Sequence, residues 1–190
     1  MCVIDVRRGH VLRAATELFI AQTFATHYGA SGVALPPLLR VMLDSSGRHV
    51  CACGLRFADD GYLSEAYLDR PVEAVLTEWA KQPVSRSSIF EVTSLAGRTP
   101  RASRPFLLQQ IAFGEQAGFE WALFTATQRL RSLLGCLGLD VVHIANAAPD
   151  RLATGADWGT YYDNAPIVCA VNRQAVAHFF MSRQRSAIHA

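Results

Sequence analysis

A chain of 190 residues, 51% of them hydrophobic and 18% charged, can bury about two-thirds of its unfolded surface in one core, which excludes a disordered chain and predicts a single domain over residues 1–190. The net charge of +2, with basic residues dispersed along the chain, gives no footprint for nucleic acid. No stretch approaches the ~20 apolar residues of a membrane-spanning helix, so no transmembrane segment is expected. Arg7 and Arg8 are not followed by a signal-type apolar segment, and the expected location is cytoplasmic. The five cysteines lack CxxC or Cys/His spacing, and the histidines are scattered, so reduced thiols and no metal are expected.

Apolar residues at helical spacing between His10 and Tyr28 (Val11, Ala15 and Leu18, then Leu12 and Phe19) predict a helix, closed by Gly29 where a left-handed residue is wanted. Residues 38–43 and 49–57, joined by the turn Asp44-Ser45-Ser46-Gly47, read as an antiparallel hairpin. Cys51 and Cys53 share one face of its second strand and read as buried small hydrophobes. The run Asp69-Arg70-Pro71-Val72-Glu73 supplies a cap, an early proline and an acidic first turn for a second helix reaching about Trp79.

A strand at 88–95 follows, then a basic loop at 96–104 in which Ser103 is placed to cap a helix over 105–116. Residues 121–125 form a strand buried on both faces. Thr127 caps a further helix whose stripe is Leu130, Leu133, Leu134 and Leu137, and 139–144 returns as a strand. A polar loop, the aromatic cluster Trp158, Tyr161 and Tyr162, and an apolar run at 167–169 complete the pattern. This order predicts an α+β domain with a central mixed sheet flanked by helices.

The basic loop is the most informative segment, because it places Arg98, Arg101 and Arg104 between a strand and a helix start. Helix N-termini attract anions, and arginines add bidentate contacts to phosphate. The site would hold the phosphate of a cofactor that carries an acyl thioester. The competing reading is a solvated surface turn, since the loop lacks the glycines that let a backbone wrap a phosphate.

The string Glu91-Val92-Thr93-Ser94-Leu95-Ala96 precedes that loop, and Phe124-Thr125-Ala126-Thr127 and Leu137-Gly138-Leu139 follow it. Two further blocks are Glu65-Ala66-Tyr67-Leu68-Asp69-Arg70-Pro71-Val72-Glu73 and Ala156-Asp157-Trp158-Gly159-Thr160-Tyr161-Tyr162-Asp163. In this order, over about residues 10–171, they resemble the thermostable-hemolysin family. That family is similar to GNAT acyltransferases and, more distantly, to acyl-homoserine-lactone and N-acyl amino acid synthases. The resemblance implies a GNAT-like, mostly antiparallel version of the mixed sheet, and an acyltransferase. In GNAT enzymes the loop after the central strand follows the pattern Arg or Gln, two residues, Gly, one residue, Gly or Ala. Arg101 and Ser103 replace the two small residues here, which favours an acyl-carrier-protein thioester over acyl-coenzyme A as donor.

On this reading no cofactor is tightly bound, and acyl-phosphopantetheine or acyl-CoA is a co-substrate. The donor would lie against Thr93, Leu95, Arg98, Arg101, Ser103, Arg104 and Thr125, with backbone N–H groups near Thr93 and Leu95 stabilising the oxyanion at a bulge. Glu91 is the candidate general base, its pKa raised by burial. Its structural alternative is a carboxylate paired with an arginine. Tyr161 would protonate the leaving thiolate, with Asp163 orienting it, while Asp69, Trp158 and Tyr162 would shape the pocket for an amine or hydroxyl acceptor. The aromatic residues also suit a lid or core edge, and Asp69 a helix cap. Two competing functions are a membrane-active hemolysin and a non-catalytic module that binds a carrier protein or lipid.

Overall fold

The computed structural model describes residues 1–139, 141–152 and 157–177. In chain order the elements are β1 (Cys2–Val6), α1 (Arg13–Tyr28), β2 (Leu38–Leu43), β3 (His49–Arg56), α2 (Val72–Ala80), β4 (Ile89–Gly97), α3 (Pro100–Gln116), β5 (Trp121–Ala126), α4 (Gln128–Cys136), β6 (Val142–Asn146) and β7 (Ile167–Asn172). The strands form one sheet in the order β1-β2-β3-β4-β5-β7-β6. Among the described residues only β4 and β5 run parallel; every other neighbouring pair is antiparallel. The sheet is therefore mixed, mostly antiparallel and flanked by helices.

Side-chain alternation assigns the helices to its faces. Leu39, Val41 and Leu43 of β2 and Ala52 of β3 pack with Phe19, Ile20 and Phe24 of α1. Leu38 and Met42, with Cys51, Cys53 and Leu55, pack on the other side against Ala102 and Phe106 of α3. Further along, Trp121 and Leu123 of β5 join Val72 and Leu76 of α2. Phe124 and Ala126 join Leu134 of α4 and Leu137 at its C-terminal cap. One face thus carries α1 and α2, the other α3 and α4.

Burial raises the Cys51 thiol to about 11 and the Cys53 thiol to about 12, so both stay protonated as apolar filling.

Three local expectations need correction. In α1 the buried residues are Thr16, Phe19, Ile20 and Phe24, whereas Val11 and Leu18 are 89% and 57% exposed. Asp69 does not cap α2; it is exposed and paired with Arg151 at 2.7 Å. The first α2 amide, on Val72, instead donates to Glu65 Oε1 at 3.0 Å. The third helix begins at Pro100, with Thr99 as N-cap accepting from the Ala102 amide at 3.3 Å. Arg101, Ser103 and Arg104 therefore lie in its first turns, and Pro105 sits inside it. Strand β1 was not foreseen, because its short run is an edge strand whose register with β2 leaves no turn signal nearby. Thr127 does cap α4, through the Leu130 amide. Of the expected 139–144 strand and the 156–163 block, Asp140 and Ala156 lie outside the described residues.

Candidate active site

Strands β4 and β5 are in register only from Ile89 to Val92, opposite Trp121 to Phe124. Beyond that they separate. On its other side β4 slips against β3, where Gly54 faces Thr93 but Ala52 faces Ala96. Ser94 and Leu95 are thus left without a register partner on either neighbour, and Ser94 adopts a left-handed φ of 50°. This is a β-bulge, which bends the strand away from β5.

The gap is occupied by a cavity of about 360 Å³, bounded by Ser94 and Leu95 of β4, Thr125 of β5, Thr99 and Ser103 at the start of α3, and Tyr161. Leu107, Ile111, Phe124 and Leu134 make its inner wall apolar. A smaller space of about 40 Å³ adjoins it, bounded by Ser64, Tyr67, Glu91, Thr93 and Trp158. Thr125, Ser94 and Tyr161 line both.

Glu91 is 1% exposed. Its Oε2 accepts from the Leu63 amide at 2.6 Å, and its Oε1 accepts from the Ser64 amide at 2.8 Å and the Ser64 hydroxyl at 2.5 Å. These donors come from the start of a 3-10 helix, Leu63–Tyr67, whose Glu65 is clamped by Arg86 at 2.6 and 2.7 Å. Burial raises the Glu91 pKa, and the Ser64 and Leu63 donors, with Arg56, oppose that rise. Because the Ser64 hydroxyl spends its proton on Glu91, the 2.9 Å contact between Ser64 and Thr125 requires Thr125 to donate. A hydrogen-bonded line therefore runs from Thr125, on the large cavity, through Ser64 to the buried carboxylate.

The other expected residues divide between those that border the cavities and those that do not. Leu95, Thr125 and Ser103 border the large one, and Thr93 and Trp158 the small one. The buried Thr93 Oγ1 and Trp158 Nε1 have no partner among the described residues. Arg98 donates from Nε to the His49 carbonyl at 2.7 Å and lies over the Phe19 ring at 5.5 Å. Arg101 and Arg104 are exposed, outside the cavity wall. The Ala102 and Ser103 amides are both held by Thr99, so they offer less to an anion than a glycine-rich turn would. Gly97 is close-packed against this turn, since a Cβ there would stand 2.4 Å from Ser103 Oγ.

Tyr161 packs among Phe24, Tyr28, Trp158 and Tyr162, with ring centroids 5.2 to 6.3 Å away. Burial, with Tyr28 and Tyr162 nearby, holds its hydroxyl protonated well above the usual phenol range. Tyr162 is 2.8 Å, hydroxyl to hydroxyl, from buried Tyr67. Asp163 is exposed and borders neither space, as does ion-paired Asp69. Ser64 and Tyr67 were not singled out from sequence. A serine that holds a carboxylate from a helix start 27 residues away leaves no spacing signal.

Several solved structures share this fold. The acyl-homoserine-lactone synthase LasI superposes with a TM-score of 0.62 at 14% identity, covering 90% of this chain and 89% of that one. FeeM, an N-acyl amino acid synthase from uncultured soil microbes, gives 0.59 at 11% identity, covering 91% and 93%. A GCN5-related N-acetyltransferase from Kribbella flavida gives 0.53 at 10% identity, covering 90% and 97%. At such identities the likeness is one of fold. No curated protein matches the chain. The thermostable hemolysin family model matches residues 6–177, nearly the whole described chain, and the protein belongs to that family.

Proposed function

We propose that this protein is an acyltransferase that moves an acyl group from a phosphopantetheine thioester to an amine or hydroxyl acceptor. The observation that carries the reading is the parting of β4 from β5 at the Ser94 bulge, which opens an apolar cavity beside the buried Glu91. A thioester carbonyl laid along Ser94 and Leu95 would meet backbone N–H groups without a register partner on either neighbouring strand, and these would stabilise the developing oxyanion.

Nucleophilic attack by an amine forms the new C–N bond. Its proton passes to Thr125, whose own proton moves to Ser64, whose proton moves in turn to the Glu91 carboxylate. Collapse of the intermediate breaks the C–S bond, and Tyr161 protonates the departing thiolate. The products are an amide and a free pantetheine thiol, and solvent restores Tyr161 and Glu91. Trp158 and Tyr67 bound the smaller space, which suits the acceptor. Asp163 and Asp69 have no part in this scheme, because neither borders the cavities.

An acyl carrier protein suits the donor side better than coenzyme A. The Thr99-held amides and the close Gly97–Ser103 packing leave little cradle for a pyrophosphate, while exposed Arg101 and Arg104 suit an acidic carrier helix. This reading requires a cytoplasmic location, where such thioesters are available. Matched carrier-protein and coenzyme A thioesters, followed by free-thiol release and intact product mass across amino acid and amine acceptors, test it. Transfer from the carrier protein and a loss of at least ~100-fold in Glu91→Gln support it. Absence of transfer from both donors sinks it.

A further inference from the structure

The cavity does not stop at the reacting centre. Thr99 and Ser103 border it at the start of α3, and Gly114 and Glu115 border it at the other end, about 24 Å away at 1.5 Å per helical residue. Phe90, Phe119 and Arg173 belong to the same wall at that far end.

Two features there restrict it. Gly114 lies against the Phe90 ring so closely that a Cβ would come 2.6 Å from the ring edge. A glycine inside a helix costs stability relative to alanine, and its presence is explained by that approach. Phe90 is backed by Phe113 and Phe119, at centroid distances of 5.8 and 5.1 Å, so a ring pushed by a new methyl is left the cavity as its open side. Beyond it, Arg173 and Glu115 meet at 3.1 Å with side chains 46% and 39% exposed. An ion pair this open to solvent is a weak closure.

We propose that the far half of the cavity receives the distal carbons of a long, unbranched acyl chain. The Phe90–Gly114 contact sets its bore, and the Glu115–Arg173 pair forms its end wall. This rests on the acyl-donor reading above and adds to it the class of acyl group and the residues that measure it.

Non-transferable S-alkyl pantetheine thioethers of graded chain length, titrated calorimetrically, test the proposal without requiring turnover. In the wild-type protein, affinity is expected to rise about fourfold per added methylene until the end wall is reached, then level off. In Gly114→Ala the levelling moves to shorter chains, with the loss confined to ligands long enough to reach the displaced ring. In Glu115→Ala, a change at a half-buried side chain whose salt bridge is open to solvent, it moves to longer ones. Affinity independent of chain length overturns the proposal. So does a Gly114→Ala effect equal at all lengths, or a plateau unmoved in both variants. Graded binding without acyl transfer would leave this inference standing and remove the transferase reading.

Discussion

Both oxygens of Glu91 are occupied by protein donors before any substrate arrives, so the carboxylate is held in place yet reached from the large cavity through two hydroxyls. Burial outweighs those donors and leaves its pKa raised. The sign for stability follows: its contribution is full below the unfolded carboxylate pKa and is lost as pH rises through the higher folded value. Catalysis runs the other way, since only the ionised form accepts a proton. The acid limb of kcat/KM should lie above the ordinary glutamate value of about 4.3 and vanish in Glu91→Gln. In Ser64→Ala, which removes a hydrogen bond favouring the charged form, the limb should move to still higher pH and the maximal rate should fall. A limb unmoved in Ser64→Ala, read from full pH–rate profiles, counts against the relay. Glu91 was legible in sequence as a carboxylate on a central strand. Its partner Ser64 was not, because the contact depends on how a 3-10 helix is seated by the Glu65–Arg86 clamp.

At the scale of elements, α3 shows where sequence and structure part. Two prolines compete as helix starters, and Pro100 wins because Thr99 before it can cap. Pro105 is tolerated inside the helix at the loss of one backbone bond. Thr99→Ala should therefore cost about 1 kcal/mol of stability, seen as a lowered Tm, a loss that the loop reading would not predict. Changing exposed Arg101 and Arg104 together to Ala should leave stability within about 0.5 kcal/mol. It should nevertheless raise the KM for a carrier-protein donor and flatten its salt dependence. An unchanged KM removes the carrier-docking role from this turn. The β2–β3 hairpin, the β5 strand and the Thr127 cap were readable because turn residues and apolar runs mark them locally. The inner face of α1 was not, because that helix carries a second apolar line through Ala15 and Leu18, continued before its start by Val11, and only its packing against β2 and β3 decides which is buried.

On the scale of the whole molecule, direct lysis, which the family's name suggests, and the acyl transfer proposed above make different demands on the surface. Lysis by the protein itself needs apolar surface that can leave water for a bilayer. Among the described residues the large exposed hydrophobics are Met1, Val11, Leu18 and Trp79, and no helix is long and apolar enough to cross a membrane. Trp79 packs edge-on against Trp121 at 5.5 Å, and the apolar faces of α1 and α3 are committed to the two sides of the sheet. Exposing them to lipid would forfeit the core. A transferase, by contrast, can cause lysis at one remove, since joining an alkyl chain to a polar amine makes a surfactant. Purified protein should leave erythrocytes intact at micromolar concentration. Adding a long-chain thioester and an acceptor should release haemoglobin in step with product, and Glu91→Gln should abolish that release while remaining folded. Lysis by the protein alone, or undiminished lysis by Glu91→Gln, would place the activity in the polypeptide and leave the cavity without a part in it.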